Sequence, residues 1–268
     1  MAANVRNETA LPHKHIKVFE KDLFLYRKVS STNRVAQSLA RSGIIEGTIV
    51  LSSMQTSGMG RMKRKWECPA GRGILMSMIF KPEISLKLVP QLTLLCGVVA
   101  AETIRKITGC QADIKWPNDI VIGGKKVCGI LAQSCFSNNE LSYVVMGVGI
   151  NVNQTRDQLP PDCRETSTSL KLEVGHKVSR LRLLEVFIML WNEYYALFLK
   201  RGHSFLKPKW KAYNVTLGRE VSINSGDGLR HGLAIDISER GGLIVNFPDG
   251  LSEEFLAEDL SLGRAHYG

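Results

Sequence analysis

Gln55-Thr-Ser-Gly-Met-Gly-Arg-Met-Lys-Arg-Lys-Trp66 holds two glycines, a run of cations and one aromatic between two apolar segments, Gly47–Met54 and Gly73–Phe80. Both flanking segments read as strands. A glycine-rich, basic loop between two buried strands suits ligand binding, because loops on rigid scaffolds carry much of binding chemistry. Glycine also lets backbone amides approach an anion closely. Composition alone fits a solvated basic loop equally well, so the rest of the sequence has to decide.

The chain has 268 residues, enough for one large or two unequal domains. No segment supplies the ~20 uninterrupted apolar residues of a membrane span. The start lacks a cationic segment followed by an apolar run and a small-residue cleavage site. The six cysteines (68, 96, 110, 128, 135, 163) form no Cys-x-x-Cys pair. Several lie in apolar runs, where Cys behaves as a small hydrophobe. A cytoplasmic location, with no membrane partner, is the resulting expectation. The formal charge of +10 asks for an anionic partner. Its cations are scattered rather than blocked, no aromatic-interleaved nucleic-acid signature is present, and the ~25 residues before Arg27 are too few for a helix-turn-helix module. DNA binding is not expected. A nucleotide or an acidic protein partner accounts for the charge.

The sequence predicts an α+β chain in three parts: an N-terminal extension over 1–25, a larger domain over 26–214 and a small β-barrel over 215–268. Ile16–Val29 reads as a short helix running into a strand. Ser30–Gly43 has a Ser/Thr start, apolar Val35, Ala36, Leu39 and Ala40, and a closing glycine, which are the signals of a helix. Lys87–Thr108 is a second helix, with Leu88, Leu92, Leu95, Val99 and Ile104 near helical spacing and Gly109 as its stop. Ala112–Trp116 is a short strand ended by Pro117. Asp119–Ile122 and Lys126–Gln133 form a hairpin across Gly123-Gly124. Leu141–Ile150 is a strand apolar on both faces, Asn151–Thr168 is loop, and Arg180–Lys200 and Ser204–Asn214 are helices. Beyond Val215, short alternating segments with Gly/Asp turns (219–224, 228–237, 242–247, 251–256, 258–263) suit the barrel.

Polar clusters punctuate these apolar strands: Ser31-Thr32-Asn33, Lys115-Trp-Pro-Asn-Asp119, Lys126 with Gly129, and Gly147-Val-Gly-Ile-Asn-Val-Asn153. Each alone also fits a capping, turn or packing role. Together, Ser31-Thr32-Asn33, the loop Gly58–Trp66, Lys115–Asp119, Lys126-Val-Cys-Gly129-Ile-Leu131 and Gly147–Asn151 occur in the order found in biotin–protein ligases, also called biotin–[acetyl-CoA-carboxylase] ligases. The chain resembles that family from about Tyr26 to Leu262. The resemblance implies a mixed sheet with flanking helices like that of class II aminoacyl-tRNA synthetases and biotin ligases, plus a small C-terminal SH3-like β-barrel. Regulatory members carry an N-terminal DNA-binding domain, and this sequence resembles the non-repressor class.

The resemblance further implies a two-step reaction with ATP and biotin as substrates and Mg2+ as the metal. Biotin and ATP give biotinyl-5′-AMP, which passes biotin to a lysine of a biotin carboxyl carrier protein domain of a biotin-dependent carboxylase. A homodimer is left open. Ser31, Thr32, Asn33 and Gln55 are implied to hydrogen-bond the polar groups of biotin, within a biotin site that also takes in Gly58, Met59, Gly60, Arg61, Lys126, Gly129 and Gly149. Lys126 holds the biotin carboxylate, and Lys126, Arg61 and Lys115 are the implied catalytic cations. Arg61, Arg64, Trp66, Lys115, Asn118, Asp119 and Asn151 are implied for ATP, with Asp119 and Asn151 as candidate Mg2+ ligands. The basic loop becomes a lid, with Gln55 at its biotin end and Trp66 at its adenine end. Family loops usually read Gly-Arg-Gly-Arg with a glycine before the later arginine. Here Met59 replaces the first arginine and Lys63 that glycine, and Ser30 stands where Asp is common. A lipoate–protein ligase shares the fold and the adenylation step, and a basic nucleic-acid-binding module with an SH3-like barrel is the rival from another class.

Overall fold

The computed structural model describes residues 14–18, 21–137, 140–224, 228–257 and 261–262. In chain order these form β1 (Lys14–Val18), β2 (Lys21–Tyr26), α1 (Thr32–Arg41), β3 (Ile49–Ser52), β4 (Gly73–Phe80), α2 (Val89–Thr108), β5 (Asp113–Lys115), β6 (Asp119–Ile122), β7 (Lys125–Ser137), β8 (Glu140–Asn151), α3 (Leu170–Val174), α4 (Arg180–Arg201), α5 (His203–Tyr213), β9 (Glu220–Asn224), β10 (Leu229–Ile237), β11 (Leu243–Asn246), β12 (Ser252–Phe255) and β13 (Ser261–Leu262). The chain divides into two compact units, one of residues 1–83 and 125–184 and the other of 84–124 and 185–268.

The first unit is built on strands in the order β1-β2-β3-β4-β8-β7. Only the β2–β3 pair is parallel; β1–β2, β3–β4, β4–β8 and β7–β8 are antiparallel. Every residue of β4 is buried, as expected of a strand with neighbours on both sides and both faces covered. Helix α1 packs on β3, β4 and β8. Val35, Ala36 and Ala40 meet Val50, Ile79 and Val145 there. Burying a Val or Ile side chain fully contributes about 1.5–3 kcal/mol, so this face anchors the start of α1 to the sheet.

The helix expected within Ile16–Val29 is instead the β1–β2 hairpin, with Ile16 opposite Leu23. Leu23-Phe24-Leu25 is a continuous apolar run, and a short run of that kind has no period to separate strand from helix. It becomes a strand because β3 pairs with it, Leu23 beside Ile49. Residues 1–13 and 19–20 of the expected extension lie outside the described residues.

The second unit contains α2, whose buried Leu92, Leu95, Val99 and Ile104 form the face predicted from spacing. Gly109 closes it in the left-handed conformation, at φ +73. The helical stretch Leu86–Thr108 is long and apolar enough to cross a membrane by length and composition, yet most of its apolar window is buried in the fold. It packs on α5, β5 and β6. Arg105 ties α2 to β5 through Asp113 at 2.6 Å and covers the ring of Tyr213 at 4.6 Å. Trp116 is buried, its backbone N–H donating to Thr216 Oγ1 at 2.9 Å and its indole N–H to the Gly241 carbonyl at 3.3 Å. It is therefore a core residue of this unit.

Strands β9–β13 form an antiparallel sheet in the order β12-β11-β10-β9-β13, with Val221, Ile223, Ala234, Ile237 and Val245 buried. No β12–β13 pair, which would close it into the expected barrel, is found among the described residues. Residues 258–260 between those strands, and 263 of the predicted last strand, lie outside them.

Candidate active site

The floor of the site is a strip of glycine backbone. Gly129 on β7 stands directly opposite Gly149 on β8, and Gly147 on β8 stands opposite Ser77 on β4. Trp66 covers the first pair. A β-carbon at Gly149 would lie 2.7 Å from Trp66 Cζ2 and Nε1, and one at Gly129 would lie 3.0 Å from Trp66 Cζ3 and 3.2 Å from Lys126 Nζ. The Lys126 ammonium is 5.7 Å from the Trp66 ring centroid, within cation–π range. Gly129, Gly149, Lys126 and Trp66 are thus one cluster, and the space above both glycines is taken by the indole. Lys126 is fixed at its backbone, which donates to Thr166 O and accepts from Thr168 N–H, both at 2.9 Å.

At the start of α1 the polar side chains bond mainly to one another. Gln55 Oε1 accepts from the Thr32 backbone N–H at 2.7 Å and lies 3.1 Å from the Thr32 hydroxyl. That contact caps the helix, since Ser31 makes no side-chain capping bond among the described residues. Asn33 donates through Nδ2 to Gln133 Oε1 at 2.7 Å and accepts from Ser77 Oγ at 2.6 Å. Gly147 has to be bare because a β-carbon there would stand 2.9 Å from Asn33 Cγ. Sequence reasoning assigned Asn33 to the ligand; the structure gives its amide internal partners on β4 and β7. It missed Ser77 and Gln133 altogether. The available signal was a lone hydroxyl inside the otherwise apolar run Gly73–Phe80.

The basic loop is held at both ends. Val29 N–H donates to Met54 O, Thr56 N–H to Val29 O and Ser57 N–H to Ser30 O, so its first residues run beside segment 29–30. Trp66 N–H closes the excursion on Gly58 O at 2.9 Å, and Gly60 N–H reaches Arg64 O at 2.7 Å. Gly58 is required by this closure, because a β-carbon would collide with the Trp66 carbonyl and sit 2.9 Å from Gln55 Nε2. At the tip, a 3-10 turn over Arg61–Lys63 leaves Arg61 half-buried and Met62, Lys63 and Arg64 exposed; Met59 is also exposed. Met62 and Lys63 take left-handed backbone angles, φ +52 and +58.

Asn151 is buried at the end of β8. Its Nδ2 donates to Thr168 O at 3.0 Å and its Oδ1 accepts from Gln154 at 2.9 Å. Gln154 also reaches Cys68, whose thiol is pushed up to about 11 by burial. Lys115, Asn118 and Asp119 belong to the second unit, around the turn that joins β5 to β6. Among the described residues no three His, Cys, Asp or Glu side chains gather as metal ligands.

Residues 25–151 match the biotin/lipoate A/B protein ligase family. The bifunctional ligase/repressor BirA of Bacillus spizizenii is 35% identical over 247 residues, covering 92% of this chain and 76% of that protein. The chain belongs to the biotin/lipoate protein ligase family. The biotin–[acetyl-CoA-carboxylase] ligase of Paracoccus denitrificans is 28% identical to this ligase over 226 residues, covering 83% of this chain and 93% of the relative. Among solved structures, the biotin protein ligase of Aquifex aeolicus in complex with biotin and ATP superposes with a TM-score of 0.78 at 29% identity, covering 91% of the ligase and 99% of that chain.

Proposed function

We propose that the chain is a biotin–protein ligase that makes biotinyl-5′-AMP from biotin and ATP and transfers biotin to a lysine of a biotin carboxyl carrier domain. A biotin carboxylate oxygen attacks the α-phosphorus of ATP; the new O–P bond forms as the bond to the bridging oxygen breaks and pyrophosphate leaves. The carrier lysine amine then attacks the acyl carbon of the mixed anhydride. A C–N bond forms, the C–O bond to AMP breaks, and the amine proton passes to solvent. The first step brings two anions together, so positioning and fixed positive charge carry most of its catalysis.

The observation that carries this reading is Lys126, whose ammonium stands beside bare Gly129 and near the Trp66 ring. That grouping gives a carboxylate one cation, with the Trp66 ring beside it. Arg61 and Arg64 on the loop serve the phosphates, and Lys115, Asn118 and Asp119 are carried over from the family motif for ATP. Mg2+ would be held chiefly by the nucleotide's phosphates and would offset their charge. The sheet β9–β13 serves as the SH3-like module. The test is to mix purified protein, ATP, Mg2+ and labelled biotin with a biotin carrier domain. Label on the carrier lysine is the expected result. ATP–pyrophosphate exchange driven by lipoate and not by biotin would move the protein to the lipoate branch of its family.

A further inference from the structure

We propose that Thr216 and the turn at Gly241 position the nucleotide-binding motif by holding Trp116, so that Lys115, Asn118 and Asp119 stay arranged for ATP. This rests on the reading above that those three residues meet ATP.

Trp116 is the member of Lys115-Trp-Pro-Asn-Asp119 that faces away from solvent. It is 1% exposed, whereas Lys115, Asn118 and Asp119 are half-buried. The turn Trp116-Pro-Asn118 lies beyond the last β5–β6 pair, Lys115 opposite Asp119, and Pro117 has no N–H to bond. Its anchors come from about a hundred residues later in the chain, within the same unit. Segment 214–216 runs parallel to β5, with Asn214 beside Ile114 and the Val215 N–H donating to Ile114 O at 3.0 Å. Two residues past Ile114, the Trp116 N–H donates to the Thr216 hydroxyl at 2.9 Å. The indole N–H reaches the Gly241 carbonyl at 3.3 Å. One residue is thus tied at its main chain and at its ring.

Both anchors are themselves held. Thr216 is 1% exposed, so water does not compete for its hydroxyl, and an unmade bond at the Trp116 N–H is costly. The turn carrying Gly241 is cross-linked, with Ser238 N–H donating to Gly242 O at 2.9 Å and Gly241 N–H to Ser238 O at 3.0 Å. Gly241 takes φ +80, and a β-carbon on it would lie 3.3 Å from Leu94 Cδ1. The Gln91 amide donates to the neighbouring Glu239 carbonyl, so the turn is seated on the start of α2 as well as on Trp116. Lys115 lines a cavity of about 510 Å³ together with Val215 and Arg219. The segment that carries Thr216 therefore also shapes the space beside Lys115. Thr216 touches none of the reacting groups and acts through Trp116.

The experiment is biotin-dependent ATP–pyrophosphate exchange, with KM for ATP and KM for biotin each measured at saturating co-substrate. Thr216→Val keeps the shape and removes the hydroxyl. Its KM for ATP is expected to rise by about tenfold, the scale of one lost buried hydrogen bond, while that for biotin stays within about twofold. Thr216→Ser, which keeps the hydroxyl, is expected to return to within about twofold of wild type. Trp116→Phe removes the ring anchor alone and is expected to raise the KM for ATP in the same selective way. Whichever of the valine and phenylalanine variants melts cooperatively serves as the test. An unchanged KM for ATP in a folded variant, or equal rises for ATP and biotin, overturns the proposal. Lys115→Ala separates the failures. If it leaves the KM for ATP unaltered, the motif does not meet ATP and the underlying reading fails. If it raises that KM while folded Thr216→Val does not, the positioning role alone fails.

Discussion

The indole of Trp66 rests on the backbone of Gly149, where a β-carbon would come within 2.7 Å of Cζ2 and Nε1. Trp66 belongs to the basic loop and Gly149 to the C-terminal end of β8, so this contact fixes where the loop's end lies on the sheet. Its indole nitrogen is buried and has no hydrogen-bond partner among the described residues, which leaves shape as the main determinant of the contact. Gly149→Ala should lift the ring and destabilise the fold by about 1–3 kcal/mol, as overpacking does. Gly129→Ala should be milder, because its nearest neighbours stand at 3.0–3.2 Å and include the flexible end of Lys126. Urea midpoints and tryptophan fluorescence would report both. Equal effects of the two substitutions would show that Trp66 is not seated as described.

Lys63 occupies a left-handed backbone conformation, with φ +58, at the position where family loops usually carry glycine. A side chain there costs about 1–2 kcal/mol, part of which glycine's greater unfolded-state freedom offsets. Lys63→Gly should therefore stabilise the protein by about 0.5–1 kcal/mol, whereas Lys63→Ala should give no gain. Thermal denaturation of the pair checks this. A loss of stability in the glycine variant would mean that the Lys63 side chain makes a contact worth more than the strain.

Much of this was legible in the sequence because the signals are local. The run Val35, Ala36, Leu39, Ala40 gave α1, and the apolar run Gly73–Phe80 gave β4. What escaped was non-local. Ser77 reaches Thr32 and Asn33 across 45 and 44 positions, and no spacing rule links a strand hydroxyl to a helix start so distant in sequence. The same holds for Asn151, whose amide bonds to Thr168 and Gln154, 17 and 3 positions away. A motif names the residue types a site contains; only the fold tells which of them face the ligand and which hold the others in place.

Lys126 is the cation that the glycine strip presents, with Nζ beside Gly129. Lys126→Ala should lower ATP–pyrophosphate exchange by about 100-fold or more, the usual scale for losing one electrostatic group at the reacting centre. Stability should change little, since the side chain is only half-buried. Exchange near wild type in this variant would remove Lys126 from the chemistry.

Arg61 stands on the loop tip, half-buried, and the part proposed for it is retention of the adenylate. Arg61→Gly should raise the biotinyl-AMP released to solvent, labelling bystander lysines, while carrier labelling falls. A drop in carrier labelling with no rise in released adenylate would show that the loop is not a clamp.

Asp236 on β10 joins α5 through Lys207 at 2.6 Å and Lys211 at 3.1 Å. Partial burial alone would raise its carboxyl, but the Lys207 ammonium, the Ile237 N–H and Lys211 outweigh this and hold it below the ordinary carboxylate value. A carboxylate depressed in the folded state adds stability above its unfolded pKa and loses it as pH falls through the folded one. Asp236→Asn should therefore cost about 0.5–1 kcal/mol at pH 7, the upper range for partly exposed pairs. That gap should persist to about pH 5 and close between about pH 4 and 2. Urea midpoints of both proteins at pH 7, 5 and 3 measure it directly. A gap as wide at pH 3 as at pH 7 would assign the effect of the substitution to packing and not to the charge.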